Sequence, residues 1–295
     1  MLKHVTVIGG GTMGRGIAGC FATSGFAVTI VEMSGSVRSE LKGNLEKEID
    51  WAVRREAIKC SDIPATCESV NVTDDIQEGC SSAQLVIEAV PEDIALKRRV
   101  FKEVDSAAPE GALLASNTSS LSVSAIAAAT NRPTQVVGMH FFNPPMRMRL
   151  VEIVKALGTS DDSVAKAVEF AGLINKTPIV VKDSPGFATS RISAMVGNEA
   201  FFMLQEGLAT AEDIDSALKL GLSFPMGPLA LGDLVGLDVR LGVLEYLHRT
   251  LGEKFRPCPL LVEYVDAGRL GRKTGIGVYS YDEMGKRIPN SAVSR

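Results

Sequence analysis

The chain has 295 residues, 45% of them hydrophobic, enough for one large domain or two ordinary ones with separate cores. Its formal net charge of -4 comes from interspersed signs, without the basic stripe that neutralises phosphates, which argues against a nucleic-acid partner. There is no run of about 18 apolar residues free of charge or turn residues, and MLKHVTVIGGG lacks the ordered blocks of a signal peptide, so a soluble, cytoplasmic protein away from membranes is expected.

Residues 3–8 read as a short buried strand, and GGGTMGRGIAGCFATSG supplies a glycine-rich turn leading into small and apolar residues at helical spacing. FAVTIVE forms a second strand ending at Glu32. From Ser36 to Lys59 a charged stretch carries Leu41, Leu45, Ile49 and Val53 four apart, the mark of an amphipathic helix. Strand candidates recur at 70–73, 84–90, 112–116, 136–141, 150–154 and 178–182. This alternation predicts an α/β fold, a doubly wound, mainly parallel Rossmann-type sheet over residues 1–183. After the Pro-Gly break at Pro185 and Gly186 the texture becomes helical, which predicts an all-helical second domain over 184–281. Residues 282–295 are polar and aperiodic and are expected to be a loosely held tail. The five cysteines, Cys20, Cys60, Cys67, Cys80 and Cys258, form no CxxC pair and have no His at zinc-ligand spacing, which predicts reduced thiols and no metal.

Gly9, Gly11 and Gly14 make GxGxxG between a strand and a helix, with Thr12 and Met13 at the helix mouth. The glycines permit a tight turn, close approach of a pyrophosphate and close helix-strand packing, and the helix N-terminus favours the anion. Glu32 at the end of the second strand can accept both ribose hydroxyls of NAD and would repel the extra phosphate of NADP. Arg38 comes six residues later and weakens that preference only slightly.

His140 lies where VVGMHF gives way to the turn FNPP, with Glu152 in the next apolar run and Asn117, Thr118, Ser119 and Ser120 upstream. An enzyme that oxidises an alcohol needs a base for the hydroxyl proton while hydride leaves carbon, and imidazole suits that work near neutrality. Glu152 could fix the imidazole tautomer and stabilise the imidazolium. Taken alone, His140 could equally be a satisfied core residue and Glu152 a strand-edge charge. His4 and His248 read as structural or surface residues. Ser119 lacks a GxSxG elbow and fits better as a substrate-positioning hydroxyl than as a nucleophile.

GGGTMGRGIA, LVIEAVPED, SNTSSLSV, HFFNPP, LVEIV, DSPGF, GLSFPMGPLALGDLVGLD and KTGIGVYSY together resemble the L-3-hydroxyacyl-CoA dehydrogenases, above all the short bacterial 3-hydroxybutyryl-CoA dehydrogenases, from residue 3 to about residue 281. The resemblance implies reversible hydride transfer between NAD and C3 of an acyl-CoA, with His140 as acid/base, Glu152 as its partner and Ser119 on the substrate hydroxyl and nicotinamide end. It further implies that Glu92 and Lys97 reach the cofactor, that Asn117 and Asn143 flank the nicotinamide, that Lys273 closes over it from the second domain, and that this domain dimerises. One position departs: the family usually has Asn immediately before Arg191, where it helps hold the catalytic geometry, and here Ser190 stands there. Serine keeps a hydroxyl but loses the amide's second group.

The family's CoA contacts point to the helix over 36–59, where Lys47 and Arg54 share a face with Arg55 alongside; a solvated helix balanced by Glu46, Glu48 and Glu56 is the competing reading. Two other functions remain: a dehydrogenase of free hydroxy acids or sugar acids, and an NAD-binding protein that has lost catalysis, with Ser190 as the symptom. HFFNPP and FPMGP favour the CoA branch.

Overall fold

The computed structural model describes residues 3–289, 291 and 292, and its chain divides into two compact units at Phe187 and Ala188. Asp183 belongs with the first unit because its carboxylate accepts from the Ser122 hydroxyl (3.0 Å) and from the Val123 and Ser124 amides (3.2 and 2.8 Å).

The first unit runs β1 (His4–Ile8), α1 (Thr12–Ala22), β2 (Ala27–Val31), α2 (Gly35–Arg54), α3 (Ile63–Glu68), β3 (Asn71–Thr73), α4 (Ile76–Cys80), β4 (Leu85–Glu88), α5 (Ile94–Ala107), β5 (Leu113–Ser116), α6 (Val123–Ala127), β6 (Val136–Phe141), β7 (Leu150–Lys155), α7 (Asp161–Leu173) and β8 (Thr177–Lys182). Its sheet has the order β3-β2-β1-β4-β5-β6-β7-β8. β1 to β6 are parallel, β7 runs antiparallel to β6, and β8 is parallel to β7. The order reverses between β1 and β4, so the crevice past the carboxyl ends of those two strands is where such sheets hold ligands.

β1, β2, β4, β5 and β6 are buried almost along their whole lengths, as parallel strands covered on both faces must be. One core joins Val5, Val7 and Ile30 of the sheet to Ile17, Phe21, Leu41, Leu45 and Ile49 of the helices. The fourth buried position of α2 is Ala52, not Val53, because a period of 3.6 falls behind a spacing of four after three turns. Burial also pushes the Cys20 and Cys67 thiols up to about 11, which leaves little thiolate near neutrality.

The second unit contains α8 (Thr189–Gln205), α9 (Ala211–Gly221), α10 (Pro228–Val235), α11 (Leu237–Leu251) and α12 (Pro259–Asp266) around Phe201, Leu229, Leu237, Leu244, Leu247 and Phe255. The apolar run from 227 to 252 breaks into two helices at Gly236, whose φ of +106° only glycine adopts readily. Asp233 at the end of α10 holds the following KTGIGVYSY segment: its carboxylate accepts from the Val278 and Tyr279 amides and the Tyr281 hydroxyl, each at 2.9 Å. Gly277 has to be glycine there, since a Cβ would stand 2.1 Å from Asp233 Oδ1.

The segment expected to be a loose tail closes a turn where it is described. Asp282 Oδ1 accepts from the Met284 and Lys286 amides (3.0 and 2.8 Å), and the Ile288 amide donates to Ser280 (2.9 Å). Asn290 and residues 293–295 lie outside the described residues.

Candidate active site

Gly9, Gly11 and Gly14 do three different jobs. Gly9 has φ +105°, its amide donates to the Val31 carbonyl (2.7 Å), and a Cβ would meet the Ala89 carbonyl at 2.9 Å. At Gly14 a Cβ would fall 1.8 Å from the Gly9 oxygen, so glycine there lets α1 close onto β1. Around Gly11 a Cβ would meet nothing within 4 Å. Gly11 is also the N-cap of α1 with no side-chain cap, so the first amides of the helix, Thr12 and Met13 among them, face an open approach. This is a cradle for a pyrophosphate, and the turn fits a dinucleotide.

The Glu32 carboxylate lies between two loops, accepting from the Gly10 amide through Oε2 and the Ser34 amide through Oε1, each at 2.7 Å. Arg38 is turned onto the Glu32 and Met33 carbonyls (2.7 and 2.9 Å) and pairs with Asp74 at 2.7 Å. A guanidinium committed to three acceptors is a poor phosphate clamp, which removes the reservation about NAD.

His140 and Glu152 are register partners across the antiparallel β6-β7 pair, which is how two residues twelve apart come to meet. The His140 Nδ1 to Glu152 Oε2 distance is 2.7 Å, and both residues are buried. Phe142 and Phe187 flank the imidazole, with ring centroids at 4.5 and 5.9 Å. Asn117, just past β5, accepts from the Phe141 amide at 2.8 Å and so ties the end of β5 to the strand that carries His140.

Glu92 organises the loop after β5. Its Oε1 accepts from the Thr118 hydroxyl (2.7 Å), the Ser119 amide and hydroxyl (2.9 and 3.1 Å) and the Ser120 amide (3.2 Å). Burial opposes its ionisation, but Lys97 and these donors outweigh that and hold its carboxyl below the usual range. Lys97 is buried beneath that loop. Its Nζ donates to Glu88 Oε1 (2.7 Å) and the Val90 carbonyl (3.2 Å), and it pairs with Glu92 Oε2 at 3.3 Å. Glu88, missed in the sequence, is the hub beneath: it also accepts from the Val90 amide (2.8 Å) and the Ser116 hydroxyl (2.6 Å). An acid inside the apolar run LVIEAV is the available signal.

Beside α1 a cavity of about 280 Å³ is lined by Thr12, Lys47, Trp51, Asn143 and Pro145 among others. Lys47 is thus part of the wall of this groove. Arg54 does not line it; its side chain is 74% exposed and pairs with Asp50 at 2.9 Å. Arg55 stacks on Trp51 instead, 4.6 Å from the ring centroid. In the second unit Ser190 is the second residue of α8, and Lys273 donates to Asp238 at 2.6 Å. Among the described residues no cluster of His, Cys, Asp and Glu could hold a metal ion, and no helix is long and apolar enough to cross a membrane.

Comparison with known proteins places two family models on the chain: 3-hydroxyacyl-CoA dehydrogenase, NAD binding domain, over residues 4–184, and 3-hydroxyacyl-CoA dehydrogenase, C-terminal domain, over residues 186–281. A probable 3-hydroxybutyryl-CoA dehydrogenase of Bacillus subtilis is 41% identical over 287 residues, covering 96% of this chain and 98% of the relative. One of the same name from Deinococcus radiodurans is 42% identical over 277 residues, covering 93% and 99%. The crystal structure of (S)-3-hydroxybutyryl-CoA dehydrogenase from Ralstonia eutropha superposes with a TM-score of 0.90 at 39% identity, covering 96% of this chain and all of that one.

Proposed function

The chain belongs to the 3-hydroxyacyl-CoA dehydrogenase family, an NAD-dependent oxidoreductase of 3-hydroxyacyl-CoA, and from that premise we propose that the His140-Glu152 pair moves the proton in this reaction. The observation that carries the proposal is the 2.7 Å contact between His140 Nδ1 and the buried Glu152 carboxylate. A carboxylate accepts only, so Nδ1 carries the hydrogen and Nε2 is left with the lone pair that a base needs. In the oxidative direction the C3–H bond breaks with its electron pair, the hydroxyl proton passes to Nε2, and C3 becomes a carbonyl. NAD, when bound, supplies the hydride acceptor. The resulting imidazolium is stabilised by Glu152, and in the reverse direction it returns the proton.

The cofactor would be held by the open amides after Gly11, with Glu32 on the adenosine ribose. Glu92 sets the Ser119 loop; since the Ser119 proton is given to Glu92, its oxygen is left to accept a hydrogen bond from the ligand side. Lys97 and Glu88 act as positioning residues beneath that loop. Asn143 lies in the wall of the groove that also holds Lys47, and this groove would take the pantetheine arm. The names of the two bacterial relatives support a short acyl chain, 3-hydroxybutyryl-CoA in the first instance. Ser190 stands in α8 where the family usually has Asn. The protein would act in the cytoplasm as a homodimer through the helical unit, where Leu208, Leu220 and Leu222 are each at least 66% exposed.

NADH formation from 3-hydroxybutyryl-CoA, monitored by absorbance, tests the reaction. Turnover of the His140→Gln protein at the wild-type rate would remove His140 from the mechanism.

A further inference from the structure

Gly10, which stands between the first two glycines of GxGxxG, is held on both sides. Its amide donates to Glu32 Oε2 at 2.7 Å, and its carbonyl accepts from Arg15 Nη1 at 3.0 Å. Arg15 belongs to α1 and reaches across to α2, where Nε and Nη2 both donate to Glu48 Oε1, at 3.1 and 2.8 Å. The arginine side chain is 15% exposed. It has no part in the mechanism above.

A tie between α1 and α2 would need the ion pair alone. Nη1 goes further, onto the carbonyl of the residue whose amide pins the ribose acid. Gly10 also packs directly on that acid: a Cβ there would stand 3.2 Å from both Cβ and Cγ of Glu32 and 2.8 Å from Leu41 Cδ1. Any shift of Gly10 therefore shifts the surface on which the Glu32 side chain rests.

With the Ser34 amide on Oε1, backbone donors hold both oxygens of the Glu32 carboxylate. Each oxygen keeps a second lone pair, so the held carboxylate can still accept from two ribose hydroxyls. It cannot swing aside for a 2′-phosphate, and like charges forced together are strongly unfavourable. Selection by repulsion works only while the repelling group stays in place. Glu48 meanwhile occupies the guanidinium, which is then not free to attract the phosphate.

We propose that Arg15 is a positioning residue for coenzyme selection: by holding the Gly10 carbonyl it fixes the backbone that pins Glu32, and Glu48 keeps it there. The chain rejects a 2′-phosphorylated dinucleotide through this relay. The inference rests on the placement of the adenosine ribose on Glu32 and adds the residues that keep Glu32 in place.

The test titrates the protein with NADH and with NADPH, which differ only in the 2′-phosphate, and reads each Kd from nicotinamide fluorescence. The wild-type protein is expected to bind NADH about 100-fold more tightly or better, and Arg15→Met should narrow that ratio about tenfold. Because the ratio is taken within one protein sample, partial misfolding of the variant does not move it. Arg15→Lys offers one ammonium to two acceptors and should restore part of the ratio. A tie that served only to hold α1 on α2 would weaken both dinucleotides alike or lower the urea midpoint, with the ratio unchanged. That result, or equal binding of the two by the wild type, overturns the inference. Glu32→Gln keeps the shape and removes the charge, and so separates the inference from its premise. If Glu32→Gln narrows the ratio and Arg15→Met does not, the ribose placement stands without Arg15; if Glu32→Gln leaves the ratio unchanged, the two fall together.

Discussion

Buried charge is handled differently in the two units. In the first, Glu88 meets Lys97 and Asp105 meets Arg132, each at 2.7 Å, while Glu152 accepts from the His140 Nδ1–H at the same distance. In the second, Asp215 and Asp233 are buried among neutral donors: amides of Leu229, Ala230, Val278 and Tyr279, and hydroxyls of Tyr279 and Tyr281. Burial raises both carboxyls above their usual range despite those donors. In the first unit Glu88-Lys97 and Glu152-His140 lie at or beneath loops that a ligand would approach, where Lys97 helps to hold Glu92 ionised, while Asp105-Arg132 ties the end of α5 to the turn before β6. The neutral-donor carboxylates of the second unit pin helix ends and one following segment, which is architectural work. Arg240 breaks that pattern, a buried cation in the second unit with no acid to match it among the described residues.

The comparison would be broken first by catalysis. Removing the proton acceptor in His140→Gln should reduce turnover of 3-hydroxybutyryl-CoA by about 10²–10⁴-fold, the usual contribution of general-base catalysis, with NADH affinity little changed. Steady-state kinetics beside an NADH titration would check it. A matching loss of NADH affinity would mean that His140 holds the fold together, and the first unit's pairs would then be no more functional than those of the second.

Much of the first unit is legible in the amino-acid sequence. GxGxxG, Glu32, His140 and Glu152 each sit at the end of, or inside, a strand whose apolar run marks it, and topology does the rest. Which charges go inward is not legible there. Lys97 has the spacing of a surface helix residue, and only packing of α5 against β4 turns its ammonium onto Glu88. Glu88 itself looks like an interruption in an apolar strand. The break at Gly236 is hidden because apolar periodicity continues across it, and the tail's turn depends on Asp282, whose partners come from the segment itself.

The next largest effects are on stability. Lys97→Met leaves Glu88 as a buried carboxylate without its cation and should cost about 3–5 kcal/mol. Asp233→Asn keeps the shape but places an NH2 group against an N–H or O–H donor, and should cost about 1–3 kcal/mol. The chain offers a way to see them separately. Its single tryptophan, Trp51, is in the first unit, and its four tyrosines, Tyr246, Tyr264, Tyr279 and Tyr281, are in the second. Lys97→Met should move the tryptophan transition in urea and Asp233→Asn the tyrosine transition. Equal penalties for the two would show that neutral donors and a charge partner leave a buried carboxylate equally dependent on its surroundings.

The smallest effect separates the units by the sign of a pH dependence. For Asp105, burial is outweighed by the Asn131 amide and the Arg132 guanidinium, so its folded carboxyl lies below the ordinary value of 3.8. Its contribution to stability is then present above pH 3.8 and is lost as pH falls through the lowered folded value. For Asp233 the folded carboxyl lies above 3.8, so the folded state binds the extra proton. That contribution is fullest below pH 3.8 and is lost as pH rises through the raised value. The penalty of Asp105→Asn should therefore shrink on acidification, and that of Asp233→Asn should shrink as pH climbs from the acid range towards neutrality, each by on the order of 1 kcal/mol. Urea midpoints of both variants and the parent across the acid range would measure this. Two penalties that change in the same direction would mean that neutral donors stabilise the ionised Asp233 as well as an arginine stabilises Asp105, and the contrast between the units would then lie in geometry and not in charge.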